Sequence, residues 1–542
     1  MDIMPIHLEK NNKFAVDYQH KLEISKQYFH YHPYKDDENR LADIQKRTFN
    51  RKALSKVLEQ MNKEWDAPVE TLEQIERLKD PMSTVVIGGQ QAGLLTGPSY
   101  TMNKIITVIR LAKEKENELN QPVLPVFWIA GEDHDFDEIN HVFSIKDNKL
   151  YKHLINQYDS TGKSVSDINI DKAAAKKWLQ QLLNDVPETI YSATWYEDTI
   201  RCLHKSHSYT DFFARLIFQL FPDSGVILVD AHNKALRELE SSNFSLLIKH
   251  QPEITDYVYH TLQIMQQHGY PAPLDSDSNN ANIFYHDDDG SRILLERSGN
   301  QWIGKNEEVV KSTEEMYDIA NNAPWRLSTN VVTRPIMQEL IFPSLAFVAG
   351  DGEISYWGAL KSAFETVGIK MPPVVPRLSI TFITDRISKL LYKRALKAED
   401  VIRTGTAEAK QRWLLTQKSV PLDMLFDETK DSMAKIHHPL TQYAASISPD
   451  LENEAEKNFA YIEQQLDYLK KRMIKKMESN HDLQLGHFRE LENMLRPNGL
   501  LQERVWNPFL IINQYGYQFI KELLENDHLS FEQNHYMVWL NK

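Results

Sequence analysis

The chain has 542 residues, more than one ordinary core holds, so two or three domains are expected. Hydrophobic residues make up 42% and charged residues 25%, a globular balance that excludes wholesale disorder. The formal charge of −14, from 62 basic and 76 acidic residues, argues against a nucleic-acid-coating surface but leaves room for a local basic pocket.

Met1–Pro5 lacks the charged and apolar pattern of a signal peptide, and no stretch reaches the roughly 18 apolar residues of a membrane helix. A cytoplasmic protein with neither membrane nor nucleic-acid partners is expected. Cys202 is the single cysteine, so no disulfide can form within the chain, which suits a reducing cytosol. Its setting in Ile200–His204 reads as an amphipathic helix, which favours packing over a nucleophilic role.

Residues 1 to about 80 read as mostly helical, with Val69–Leu78 closed by Asp80 and Pro81. Ser83–Ile87 is a β-branched run that predicts a buried strand. A glycine-rich turn follows, then a helical pattern through Ile105, Ile106, Val108, Ile109 and Ala112, then a second apolar strand at Val123–Ala130. Strand, helix and strand make a βαβ unit with a right-handed crossover. Further strands are predicted at Gly225–Ala231 and Ser344–Ala349, each running into a helix. The fold class is therefore α/β, a doubly wound parallel sheet interrupted at about 145–220 and about 250–330. The second interruption carries a hairpin signal, Ile283–Tyr285 and Arg292–Glu296 around the turn His286–Gly290.

From about Leu378 the pattern turns helical, with Ile380, Ile383, Ile387 and Leu391 at helical spacing. Leu451, Ala455, Phe459, Ile462, Leu466, Leu469 and Met473 then recur as a coiled-coil seam. A helix over 451–494 would be about 66 Å long. The 380–410 segment is its expected antiparallel partner, and a second copy of the chain is expected to complete the bundle. The resulting division is 1–377 for the core, 378–500 for the helical domain and 501–542 for a segment returning to the core.

Two strand ends carry the chemistry. The first is Gly88–Lys104 (GGQQAGLLTGPSYTMNK), whose glycines let backbone N–H groups approach an anion and whose helix start near Pro98 offers a positive dipole end. It matches neither G-x-x-x-x-G-K-[ST] nor G-x-G-x-x-G, so it names no cofactor; a tight βα turn is the plain alternative. The second is Gly131–His141, where five carboxylates and two histidines crowd a buried strand end. An EF-hand fails there because Glu138 stands where glycine is needed and Ser144 where glutamate is needed. Neither H-E-x-x-H nor a cysteine set is present, so no metal is predicted. A solvated acidic helix start is the alternative to a site that binds an amine through its carboxylates and moves a proton through His134. Gly350–Tyr356 repeats the strand, glycine, acid and helix arrangement, and Arg334 is a further candidate.

Taken together, Gly88–Lys104, Pro125–Val142, Ser328–Ile336, Phe342–Leu360 and the tail Arg496–Arg504 resemble the bacillithiol biosynthesis cysteine-adding enzymes, over the whole chain. The resemblance implies a Rossmann-like core with two connecting-peptide insertions, a C-terminal antiparallel α-helical coiled coil and a homodimer. It implies a ligase that adds cysteine to glucosaminyl-malate through an amide bond, the last step to bacillithiol. His134, Asp135, Asp137 and Lys104 are the expected catalytic residues. Gln90, Gln91, Thr96, Tyr100, Glu353 and Tyr356 are expected to bind substrate, with Thr96, Tyr100 and Lys104 on an anionic group. The family also implies an ATP or ADP pocket apart from the main cleft, for which Arg496, Asn498, Gly499, Arg504 and Asn507 are the candidates. No HIGH-type or KMSKS-like loop is present; Gly97–Tyr100 stands where the first would be. Two rivals stand beside the ligase: a degenerate nucleotide-binding module acting as a non-catalytic scaffold, and a metal-dependent sugar hydrolase.

Overall fold

The computed structural model describes residues 1–9, 12–146, 149–156, 162–274, 277–417, 422–533 and 535–540. These fall into two compact units, one of Met1–Lys146, Leu150–Ile383 and Gln502–Lys542, the other chiefly of Thr384–Leu501.

The first unit is built on five parallel strands in the order Val374–Pro376, Ser344–Ala349, Thr84–Gln90, Val123–Ile129 and Ile227–Asp230. Every residue of Val123–Ile129 is buried, as expected of a strand covered on both faces. Helix Ser99–Leu119 makes the first crossover and buries Ile105, Ile106, Val108, Ile109 and Ala112. It lies close on the sheet because Gly88 has no side chain: a Cβ there would stand 2.9 Å from Val108 Cγ2. The chain runs outward from Thr84–Gln90 to Ile227–Asp230, then returns to the other side of Thr84–Gln90 with Ser344–Ala349. Strand order thus reverses at Thr84–Gln90, and the crevice beyond the carboxyl ends opens there.

Two insertions follow the second and third of these strands in the chain. The first contains the strands His141–Lys146 and Lys149–Leu154 and helices Lys172–Asn184, Ser192–Lys205 and Tyr209–Leu220. Cys202 is buried on the second helix, and burial pushes its thiol up to about 11, so it packs as a small apolar group. The second insertion holds the long helix Ser241–Gln267 and a five-stranded antiparallel sheet, ordered Val310–Ser312, Gln301–Gly304, Arg292–Ser298, Asn280–His286 and Leu327–Thr329. Its hairpin pairs His286 with Arg292, at the turn expected from sequence.

Three expectations are corrected. Ile380–Thr384 is a strand beside His535–Leu540, and the helix begins only at Asp385. The spacing of Ile380, Ile383, Ile387 and Leu391 suits a helix, but the β-branched and aromatic run Ile380–Thr384 is claimed by sheet pairing. The coiled-coil partner is also different. In the second unit Pro449–Asn480 packs on Leu422–Ile447, not on 380–410. Lys470 pairs with Asp423 at 3.0 Å and Lys430 with Asp467 at 2.8 Å, so the two helices run antiparallel. A one-residue link makes these neighbours in the chain neighbours in space. The helix expected over 451–494 breaks at His481 into Pro449–Asn480, about 48 Å long, and Asp482–Leu495. Asp385–Arg394 and Ala398–Thr404 pack on the latter. Among the described residues no helix is long and apolar enough to cross a membrane.

Candidate active site

The crevice at the carboxyl rim is a cleft of about 650 Å³. Both strand ends singled out in the sequence line it, through Gly89, Gln90, Gln91, Tyr100 and Lys104 on one side and Glu132, Asp133 and His134 on the other. They also touch: Gln91 Nε2 donates to Asp133 Oδ2 and to Glu138 Oε2, each at 2.7 Å. Gly350–Glu353 and Tyr356 supply a third wall, and the antiparallel insertion a fourth through Phe284, Arg292, Thr329 and Asn330.

Lys104 is buried on the first crossover helix. Its ammonium donates to Gly89 O at 2.7 Å, to Gln90 Oε1 at 3.1 Å and to the Glu353 carboxylate. An ammonium has three donors, so all are engaged. Burial pulls its pKa below the ordinary lysine value, against the opposing pull of Glu353. Glu353 is itself fixed, because Gly350 N donates to its Oε2 at 2.8 Å across the first turn of helix Asp351–Trp357. Arg377 is likewise spoken for: it makes a two-pronged pair with Glu503 at 2.7 and 2.8 Å. Burial alone would raise Glu503, but Arg377 and the hydroxyl of Ser379 hold it down at about 2.

Arg334 and Arg504 are less encumbered. Arg334 donates to Tyr356 Oη at 2.5 Å, and its buried Nε has no hydrogen-bond partner among the described residues. Arg504 is exposed at the cleft wall and makes no hydrogen bond or ion pair among them. Arg292 rises from the hairpin, stacks 3.8 Å over the Phe284 ring and donates to Ser328 Oγ and Thr329 O at 3.1 and 2.8 Å. Its Nη1 donates to His134 Nδ1 at 3.3 Å and lies 3.7 Å from Asp133 Oδ1. Burial and the Arg292 charge lower the His134 pKa against Asp133 and Asp135, so the imidazole is neutral near pH 7, and it takes a proton at Nδ1 once Arg292 releases that atom.

Several expected residues stand elsewhere. Asp135 and Asp137 are exposed, outside the cleft lining, at the short helix Phe136–Ile139, where Asp137 accepts from Asn140 Nδ2 at 3.1 Å. Alternating acids after a strand end resemble a converging set, but neither lines the cleft; the helical turn holds Asp137, while Asp135 at its start still acts on His134 electrostatically. Thr96 is buried with φ 75° and does not line the cleft. The helix start proposed as an anion site is closed: Ser99 N–H and its hydroxyl both donate to Trp506 O, at 2.8 and 2.6 Å.

The nucleotide candidates divide between the units. In the helical unit Arg496 donates to Ile402 O at 2.6 Å, and Asn498 and Gly499 form an exposed turn. In the other, Arg504 lines the main cleft, while Asn507 is buried. Asn507 Nδ2 donates to the carbonyls of Leu94, Leu95 and Gly97, and its Oδ1 accepts from Phe509 N at 2.9 Å. A nucleotide cannot take that amide without undoing the loop, so Asn507 does not fit the role. Sequence reasoning passed over Glu132, Asp133, Arg292 and Arg377 as site residues. Arg292 and Arg377 reach the cleft only through the folded hairpin and the Glu503 pairing, and no local motif marks either.

The comparisons with known proteins agree with this architecture. Residues 1–378 match the family described as "Bacillithiol biosynthesis BshC, N-terminal Rossmann-like domain", and residues 380–540 match "Bacillithiol biosynthesis BshC, C-terminal coiled-coil domain". A protein of Oceanobacillus iheyensis named "Putative cysteine ligase BshC" is 38% identical over 544 residues, covering 100% of both chains. Proteins with the same name from Bacillus cytotoxicus and a Geobacillus species are 39% and 38% identical. They cover 93% of both chains in the first case, and 97% of this chain and 98% of the relative in the second.

Proposed function

Because the chain belongs to the BshC family of bacillithiol biosynthesis, we propose that it is a ligase joining the carboxyl group of cysteine to the amine of glucosaminyl-malate, the last step to bacillithiol. The observation that carries this reading is the cleft itself, where Arg292, Arg334 and Arg504 stand near the neutral His134. A malyl group brings two carboxylates. The unpartnered Nε of Arg334 and the unpaired guanidinium of Arg504 supply donors of the matching charge. The amine must shed a proton as it attacks, and His134 is the acceptor at hand. The new C–N bond forms as the bond from the acyl carbon to its leaving group breaks, the leaving group keeping the electron pair and His134 taking the proton.

ATP, the proposed activator, supplies the group that turns an unreactive carboxylate into an acylating agent. Of its candidate residues, Asn507 is committed to the loop and Arg504 alone lines the cleft. Lys104 and Glu353 act in this reading as a fixed pair that holds Gln90 and the Gly350 turn in place. A homodimer through the coiled coil is part of the same proposal.

The test is turnover. Purified chain with cysteine, glucosaminyl-malate and ATP is expected to yield bacillithiol by mass spectrometry, and His134→Ala is expected to lower the rate by about a hundredfold or more with the fold intact. In cells, loss of the chain is expected to leave glucosaminyl-malate accumulated and bacillithiol absent. Loss of both compounds would overturn the ligase in favour of a scaffold.

A further inference from the structure

Among the described residues, four carboxylates line the cleft: Glu132, Asp133, Asp351 and Glu353. Glu353 is occupied by Lys104 and Gly350 N. Asp133 takes Gln91 Nε2 on Oδ2 and His134 N on Oδ1, the latter at 2.8 Å. Glu132 differs. It sits at the tip of the buried Val123–Ile129 strand, one residue past Gly131, where a Cβ would fall 2.2 Å from Asp230 Oδ1 and force the strand end away. Its Oε2 is held from behind by Arg237, whose other nitrogen donates to Glu240 Oε2 at 2.9 Å. Arg237 and Glu240 are both fully buried, and neither lines the cleft. On the cleft side, Oε1 has only the Thr329 hydroxyl among the described residues, at a long 3.4 Å.

We infer that Glu132 is the cleft's acceptor for the substrate amine, and that Arg237 is the positioning residue that aims it. The inference rests on the ligase reading and goes beyond it by naming what holds the nucleophile. Arg292 and Arg334 lie within electrostatic reach of Glu132 and disfavour a second positive charge beside it. The ligand form that suits this corner is therefore the uncharged amine, the form that attacks an acyl group. Glu132 Oε1 accepts one N–H, which turns the nitrogen lone pair away from the carboxylate and toward the acyl carbon. Arg237 prevents Glu132 from rotating out, since its fork fits one carboxylate on each side.

The experiment is calorimetric binding of glucosaminyl-malate and of its deoxy analogue, in which hydrogen replaces the amine, so turnover is not needed. Wild-type chain is expected to bind the amine at least about tenfold more tightly than the analogue, because a site built to accept a hydrogen bond rejects a ligand that lacks the donor. Glu132→Gln is expected to bring the two affinities within about threefold of each other. Arg237→Lys, which keeps a charge but loses the fork, is expected to cut the preference by at least about threefold without losing affinity for the analogue. Glu132→Asp, one methylene shorter, replaces the amide variant if that fails to melt cooperatively. Undiminished preference in Glu132→Gln would overturn the inference and leave the ligase reading intact. Undiminished preference in Arg237→Lys would remove Arg237 from it. Binding of neither compound by wild-type chain would overturn both the inference and the reading of the cleft.

Discussion

His134 sets the pH behaviour of the site. Burial and Arg292 lower its pKa, and Asp133 and Asp135 only partly offset them. Its base form therefore persists below the ordinary histidine midpoint of about 6.5, and the acid limb of kcat/KM is expected beneath that pH. Arg292→Leu removes one lowering charge and leaves both carboxylates, so the limb is expected to move upward. An unmoved limb in a pH–rate profile would count against His134 as the proton acceptor. At this scale the sequence was informative where chemistry crowds one short stretch: Gln90, Gln91, Lys104 and His134 all reach the cleft. Asp135 and Asp137 do not line it, because alternation along a chain indicates a common face only if the segment is extended. Phe136–Ile139 is a helical turn instead.

Among the elements, the loop Leu94–Gly97 carries the most conformational strain near the site. Leu95, Thr96 and Gly97 all have positive φ, at 49, 75 and 73°, and a β-branched residue in that region is disfavoured. Asn507 compensates by donating to three carbonyls of the loop from the far end of the chain. Asn507→Ala strands buried acceptors and is expected to cost about 1–3 kcal/mol in denaturant unfolding. Turnover is expected to fall with it, since the same loop leads into Tyr100 and Lys104. A variant as stable as wild type would mean that the loop holds its shape unaided. The strand before this loop was legible from Thr84–Ile87, which is β-branched and apolar. The strained turn and its tether were not, because a contact across about 410 residues leaves no local pattern.

For the whole molecule, the alternation of buried strands and amphipathic helices made the doubly wound sheet readable, and heptad spacing made the helical unit readable. The choice of helical partner was not readable, since a seam records that a face is apolar and not which neighbour covers it. The same ambiguity bears on assembly. On Leu422–Ile447, Met433, Ile436, Leu440, Tyr443 and Ile447 follow three-and-four spacing and are exposed, from 36% at Met433 to 72% at Tyr443. A second seam of this kind suits another copy of the chain. Sedimentation is expected to give a dimer, and Leu440→Glu with Tyr443→Glu is expected to give a folded monomer. A wild-type monomer at micromolar concentration would remove the dimer from the proposal.

The tether also bears on how the protein is made. Trp506 and Asn507 close the loop at Leu94–Ser99 and are translated more than 400 residues after it. Until they leave the ribosome, the loop lacks its closing contacts and the pocket is unfinished. Nonsense mutations upstream of Gln502 should therefore yield inert products, even where the N-terminal strands have already paired.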